Sequence, residues 1–344
     1  MGTPLPDGVD TGVPPDHAGQ PATRVTAVFT VAPAKQSPNL RTTDDRTALA
    51  QYMRALVVMF ASARRFDPDL PLELITDQLP GSPYAEDFAA LGVAVSLVPF
   101  THRPPLSFSA TFNASLYMLD ALAAQRPDER VLYGDPDAVF VRSPRALAQS
   151  VPLDTIGAYP ISATTETDHN GMTVAQAAGL YGELDGTARA TPFTYYGGEC
   201  YLVGPGQLEP LRESAERAYT AARQWAAEGR PTYPRTEEHL FNYALRNIPV
   251  TPIDQHVARI WTSARGRAVP AHVDRLTVWH VPAEKGAGLD RLYAACIDPT
   301  GWFWNADDHV FRAACARELG IRRRRPRRLA RDLIGMLARR LPRR

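Results

Sequence analysis

Cysteine is scarce in this 344-residue chain. Cys200, Cys296 and Cys315 are widely spaced and form no C-x-x-C pair, a pattern that fits reduced thiols in a cytosolic protein. Lysine is scarcer: of 38 basic residues only Lys35 and Lys285 are lysines, so arginine abundance carries little information and the two lysines stand out. No run approaches ~18 apolar residues, and the N-terminus has no basic region followed by an apolar one. Membrane spanning and secretion are therefore not expected, and a cytoplasmic protein is. Internal repeats are absent. With 44% hydrophobic and 22% charged residues, 31 prolines and 23 glycines, the composition excludes collagen-like and wholly disordered chains. At roughly 150 residues per domain, the length suggests about two domains or one large α/β domain with insertions.

Net charge is also nearly missing, at +1, but it is a sum of unlike parts. Between Arg322 and Arg344 stand eleven arginines and one acid, Asp332, so this segment carries +10 and the rest of the chain −9. An acidic body is a poor nucleic-acid binder, and no nucleic-acid partner is expected.

Residues 1–23 are rich in proline and glycine and almost free of large apolar side chains, which predicts a flexible leader. The β-branched run Val25–Val31 reads as a buried first strand. Apolar residues at helical spacing between Asp44 and Arg65 follow an acidic first turn and predict a helix. Strands at 72–76, 93–98 and 130–133 alternate with helices near 84–91 and 109–124, an order that argues for a mostly parallel sheet flanked by helices. Beyond Pro160 the pattern predicts a long irregular stretch to Pro192, a strand at 200–203, helices at 208–227 and 237–245, and a strand at 276–281. The second half reads as a substrate-covering elaboration of the same sheet.

Ligands of such sheets sit at the carboxyl ends of the strands, which is where Asp135 falls. In Val131-Leu-Tyr-Gly-Asp135-Pro-Asp137-Ala-Val-Phe-Val141, two carboxylates one residue apart follow an apolar strand. Their hard oxygens suit Mg²⁺ or Mn²⁺, and such a cation neutralises a diphosphate. Three further segments stand out: Tyr195-Tyr196-Gly197-Gly198-Glu199, Glu237-Glu238-His239-Leu240-Phe241-Asn242, and Trp279-His280-Val281-Pro282-Ala283-Glu284-Lys285-Gly286.

Taken together, in this order, these four segments resemble the GT-A glycosyltransferases, in particular the retaining families 6 and 8. The resemblance spans about residues 24–286. It implies a GT-A type, Rossmann-like α/β fold, with a glycosyltransferase domain over 24–320. Its nucleotide-binding half would be 24–143 and its sugar and acceptor half 144–320, between the leader (1–23) and a basic tail (321–344). The activity implied is metal-dependent, retaining transfer of a hexose from a nucleoside-diphosphate sugar, most simply UDP-hexose, to a hydroxyl of a glycan, lipid-linked or small-molecule acceptor. By the resemblance, Asp135, Asp137 and His280 hold Mn²⁺ or Mg²⁺, and Lys285 holds the diphosphate. Phe29, Thr30 and Val31 seat the nucleotide, and Tyr196, Gly197 and Gly198 seat the donor sugar. Glu238 lies beneath the anomeric carbon, as a nucleophile or as an electrostatic support, and Glu237 contacts donor or acceptor. The chain departs from the pattern at Asn113, where these families offer arginine or lysine to the donor sugar. Acceptor loops are expected at 160–194 and 225–236.

Two other classes compete. Asp135-x-Asp137-x-Val139 also fits the motif of haloacid-dehalogenase-like phosphatases, with Asp135 as nucleophile and Lys285, Asp307 and Asp308 serving the later motifs. Those enzymes, however, carry the motif on their first strand, and Asn305–Asp308 reads more simply as a helix N-terminus. A non-catalytic nucleotide-sugar-binding protein is the other reading. In the tail, Leu329, Leu333, Leu337 and Leu341 recur every four residues among arginines. This suits peripheral contact with an anionic membrane at its inner face, a helix docked on the body, or a solvated tail.

Overall fold

The computed structural model describes residues 23–31, 44–105, 108, 112–187, 192–263 and 266–322. The leader expectation therefore lies outside the described residues apart from Thr23, as do Lys35 and the tail beyond Arg322.

The apolar run near the start forms β1 (Thr23–Phe29). Helix α1 (Asp45–Phe66) follows, with Asp44 as N-cap accepting a hydrogen bond from the Thr47 amide at 2.8 Å. That bond satisfies one of the amides a helix start leaves unpaired. Next come β2 (Leu72–Thr76), α2 (Tyr84–Ala90) and β3 (Val93–Leu97). Where one helix is expected over 109–124, a 3₁₀ turn at Asn113–Leu116 leads into a shorter α3 (Tyr117–Ala124), and Phe112 before it has φ of 62°. Then follow β4 (Arg130–Gly134), β5 (Ala138–Phe140), α4 (Pro144–Ser150) and β6 (Ile156–Pro160).

The stretch expected to be irregular after Pro160 holds a hairpin, β7 (Asp168–His169) with β8 (Met172–Thr173), and helix α5 (Val174–Leu184). Thr173 and Gln176 form a capping box at the start of α5, pairing two helix-end amides reciprocally. Strand β9 runs over Tyr196–Val203, longer than the four residues expected. Helix α6 (Pro205–Ala227) and helix α7 (Glu237–Ala244) follow. Short strands β10 (Val250–Pro252), β11 (Val257–Arg259), β12 (Trp261–Thr262), β13 (Arg267–Ala268) and β14 (Val278–His280) lead to the closing helices. These are α8 (Gly288–Cys296), α9 (Trp302–Asn305) and α10 (Asp308–Glu318).

Seven strands make one sheet in the order β10-β6-β9-β4-β1-β2-β3. All its pairings are parallel except the two made by β9, which runs against β4 and β6. Alternate strand residues enter opposite cores: Leu132 packs with α1 and the C-terminal helices, whereas Val131 and Tyr133 pack with α3, α6 and α7. Helices thus cover both faces, which is why these strands read as continuous apolar runs. Strands from both halves of the chain share this sheet.

A smaller sheet, β11-β14-β5, prolongs the chain just after the D-x-D segment. Its register decides where the chemistry falls. Antiparallel pairing sets His280 opposite Ala138, and parallel pairing sets Arg259 opposite His280. No helix among the described residues is long and apolar enough to cross a membrane.

Candidate active site

At the carboxyl end of β4 the chain turns through Asp135-Pro136-Asp137 into β5. The Asp135 amide donates to the Glu199 carbonyl at 3.1 Å, and the Val281 amide donates to the Asp137 carbonyl at 3.1 Å. The D-x-D turn is thereby tied to β9 on one side and to the end of β14 on the other. A cavity of about 430 Å³ opens over this turn, within the size range of small-ligand sites.

Asp135, Asp137 and His280 each present one ligand atom within 4.8 Å of the others. His280 Nε2 lies 3.1 Å from Asp135 Oδ2 and 3.4 Å from Asp137 Oδ1. Adjacent ligands of an octahedral cation bound at about 2.1 Å are separated by about 3 Å, so the donor set fits a small divalent cation both in spacing and in its mixture of oxygen and nitrogen. Lys285 Nζ stands 2.5 Å from Asp137 Oδ2 and 5.4 Å from the centre of the Tyr52 ring.

Burial opposes charge on Asp137, but Lys285 and then His280 outweigh it and hold the carboxyl below the usual carboxylate range. For His280, burial favours the neutral ring, yet Asp137, Asp135 and Glu199 push its pKa well above the ordinary value. A cation among the same oxygens competes with that proton.

Across the cavity, Thr236 caps α7 and places Glu237 and Glu238 in the first turn. An acidic helix start is a favourable local arrangement, but it does not account for the contacts these two make. Glu238 is 5% exposed. Its Oε1 accepts from the Tyr195 hydroxyl at 2.8 Å and the Asn170 amide at 3.4 Å, and its Oε2 accepts from the Gly198 amide at 3.0 Å. Arg259 Nη2 lies 3.6 Å from Oε2. Burial raises the Glu238 pKa while Arg259 works to lower it. Among the described residues no such cation acts on Glu237: burial, then the neighbouring Glu238 charge, raise its pKa to about 8.

The glycine pair also makes room within the protein. A Cβ on Gly198 would lie 2.7 Å from Glu237 Oε1, and one on Gly197 would lie 2.0 Å from Glu199 Oε2. Each glycine makes room for a carboxylate of the protein itself.

Phe29, Thr30, Asp135, Asp137, Gly198, Glu237, Glu238, His280 and Lys285 all line the cavity. Val31, Tyr196 and Gly197 lie outside the lining. The Val31 amide donates to Asp77 Oδ1 at 2.8 Å, and the Tyr196 amide donates to Asn242 Oδ1 at 2.8 Å. The Asn113 side chain is outside what is described, while its neighbours Phe112, Ala114 and Ser115 contribute to the wall. Asp307 occupies the N-cap position of α10, and Asp308 pairs with Arg65 at 3.4 Å. Neither lines the cavity, which leaves the phosphatase reading without its later acids.

Two functional candidates escaped the sequence reading. Glu199, buried, and Arg259, half-buried at the cavity wall, form an ion pair beside His280, with Arg259 Nε donating to Glu199 Oε1. A glutamate inside the apolar run Tyr195–Val203 was the available signal, since a buried charge requires a partner. The hairpin residues Asp168, His169 and Asn170 also reach the wall, and His169 stacks on Tyr195 at 4.0 Å.

No family model and no curated protein matches the sequence. Several solved structures are similar in the path of the chain. The bifunctional glycosyltransferase WbbM is 11% identical with a TM-score of 0.47, over 77% of this chain and 46% of its own, so this chain spans about half of that protein. The galactosyltransferase LgtC, in complex with donor and acceptor sugar analogues, is 12% identical with a TM-score of 0.47, over 86% and 95%. Mouse xyloside xylosyltransferase 1 is 12% identical with a TM-score of 0.45, over 75% and 97%.

Proposed function

We propose that this protein is a metal-dependent, retaining glycosyltransferase that moves a hexose from a nucleoside-diphosphate sugar, with UDP-hexose the donor to try first, to a hydroxyl acceptor. The observation that carries the reading is the meeting, in one cavity, of Asp135, Asp137, His280 and Lys285 on one side with Glu237 and Glu238 on the other.

Asp135, Asp137 and His280 would hold Mn²⁺ or Mg²⁺. When bound, the cation supplies charge neutralisation to the leaving diphosphate. Lys285, held beside Asp137, adds a positive charge to the same wall and so favours the same developing negative charge. Phe29 and Thr30, at the end of β1, face the space the nucleotide would take.

Glu238 acts in this reading as an electrostatic support for positive charge at the anomeric carbon. Donors fix both of its oxygens, which holds the carboxylate in place without requiring it to swing toward the sugar. Glu237, with its pKa raised to about 8, keeps its proton near neutral pH and can donate a hydrogen bond to a sugar oxygen. Two adjacent carboxyls are thus driven to different tasks by their neighbours. The hairpin β7–β8 forms part of the wall on the Glu238 side, where an acceptor hydroxyl would arrive.

A panel of nucleotide-sugars with Mn²⁺, scored by release of the nucleoside diphosphate and by the anomeric configuration of the product, tests the proposal. Donor-specific release that disappears with excess chelator, with a retained anomer, is expected. Full activity in excess chelator would remove the metal role, and an inverted product would remove Glu238 from its place. Tight nucleotide binding without turnover would favour the non-catalytic binder instead.

A further inference from the structure

Glu199 is not needed as a ligand or as a sugar contact in the proposed reaction, yet it is among the most enclosed charges in the protein, at 1% exposure. Its Oε1 accepts from Arg259 Nε and faces His280 Nδ1 at 3.6 Å. Arg259 in turn places Nη2 at 3.6 Å from the Glu238 carboxylate. The main-chain carbonyl of Glu199 accepts the Asp135 amide.

The backbone reserves the space for this side chain. Gly197 stands two residues earlier on the same face of β9, and a Cβ there would collide with Glu199 Oε2 at 2.0 Å and with Ile161 Cδ1 at 2.8 Å. Strand register supplies the rest: Arg259 pairs opposite His280, and Gly134 pairs opposite Cys200. One carboxylate is therefore set between the histidine of the metal-binding triad and the arginine beside Glu238.

An imidazole that binds a cation through Nε2 carries its proton on Nδ1, and an acceptor behind Nδ1 fixes that tautomer and the ring's rotation. Glu199 is placed to be that acceptor.

We infer that Glu199 is a positioning residue for both sides of the site, orienting His280 for cation binding and anchoring the Arg259 guanidinium that steadies Glu238. The inference rests on the metal-dependent reading of the cavity.

Mn²⁺ titration of the donor-free protein, followed by the electron paramagnetic resonance of free Mn²⁺, tests it without turnover. Glu199→Gln should weaken Mn²⁺ binding roughly 10–100-fold, the usual scale for losing a carboxylate behind a ligating histidine. Gly197→Ala should weaken it in the same direction by displacing the carboxylate. Arg259→Met should not weaken it. The double variant Glu199→Gln/Arg259→Met, which leaves neither charge unpaired, should still bind weakly. In turnover, Glu199→Gln should raise the Mn²⁺ concentration giving half-maximal rate, whereas Arg259→Met should lower kcat at saturating Mn²⁺.

Wild-type binding with an unchanged Glu199→Gln affinity would overturn this inference alone. So would an Arg259→Met protein weakened as much as Glu199→Gln. A wild-type protein that binds no Mn²⁺ would overturn the metal reading and this inference with it.

Discussion

The two walls of the cavity carry the same kind of group and treat it in opposite ways. On the D-x-D wall, Asp137 is 1% exposed, yet its carboxyl is held below the usual range because Lys285 Nζ stands 2.5 Å away. On the α7 wall, Glu237 lies at a helix N-terminus, which favours negative charge, and its pKa is nevertheless raised to about 8 by burial and by Glu238. Glu238, one residue on, is also raised by burial, but Arg259 faces it and opposes the shift. Placement of a cation, rather than depth of burial, separates a permanent charge from a carboxyl that keeps its proton. In the proposed reaction one wall would gather positive charge around a diphosphate, and the other would support charge at a sugar.

The largest test of this contrast is Asp137→Asn. It keeps the shape of the D-x-D wall and removes its buried charge, so transfer should fall by about 10³-fold or more, several kcal/mol of lost charge stabilisation. Excess chelator should produce a similar loss in the wild type and little further loss in the variant. Near-wild-type kcat/KM for the variant would break the comparison at its strongest point. Next is Glu238→Gln on the opposite wall, where loss of a preorganised charge should lower kcat by roughly 10²–10³-fold. Donor affinity, measured by calorimetry, should change little, because the support is needed mainly in the transition state. An equal loss of donor affinity would make Glu238 a ground-state binding residue.

The D-x-D wall was far more legible in the sequence than the α7 wall. An apolar strand ending in Asp135 and Asp137 announces itself, and the late His280 and Lys285 stand out by type and by the rarity of lysine. Helix α7 and its acidic start were also readable, but the difference between Glu237 and Glu238 was not. It depends on Arg259, which looks like any other arginine in a chain where nearly every basic residue is one. Tyr195, Gly198 and Asn170 reach Glu238 from β9, its approach and the β7–β8 hairpin, contacts set by tertiary packing. Strands β1 to β4 followed from short apolar runs, and helix α1 from apolar residues at helical spacing behind an acidic first turn. By contrast, the capping signal Thr173-x-x-Gln176 and the apolar spacing of Val174, Ala177, Ala178 and Tyr181 were present and went unread beneath a run of polar residues.

Glu237→Gln sharpens the contrast through pH rather than rate. The unfolded chain releases the Glu237 proton near the ordinary value of 4.5, whereas the folded protein keeps it to about 8. Across that window the folded state binds more protons, so its stability falls as pH rises. Thermal unfolding of the wild type should show this decline between about pH 5 and pH 8, and Glu237→Gln, which cannot ionise, should flatten part of it. An unchanged slope would mean that Glu237 is already ionised in the folded protein and that the two walls do not differ as described.

The smallest expected effect is that of Tyr195→Phe, which removes one donor from Glu238 and leaves Gly198 and Arg259 in place. A hydrogen bond to the charged form lowers a carboxyl pKa, so its loss should move the acidic limb of the kcat profile to higher pH. The shift should be about one to two units, since one unit corresponds to about 1.4 kcal/mol and a single bond to a charged group contributes about that much or somewhat more. At pH values above the limb, kcat should fall by less than about tenfold, because the remaining contacts still hold the carboxylate. A lost limb, or a shift toward lower pH, would mean that the Tyr195 hydroxyl does not stabilise an ionised Glu238. The charge on the α7 wall would then rest on Arg259 and the Gly198 amide.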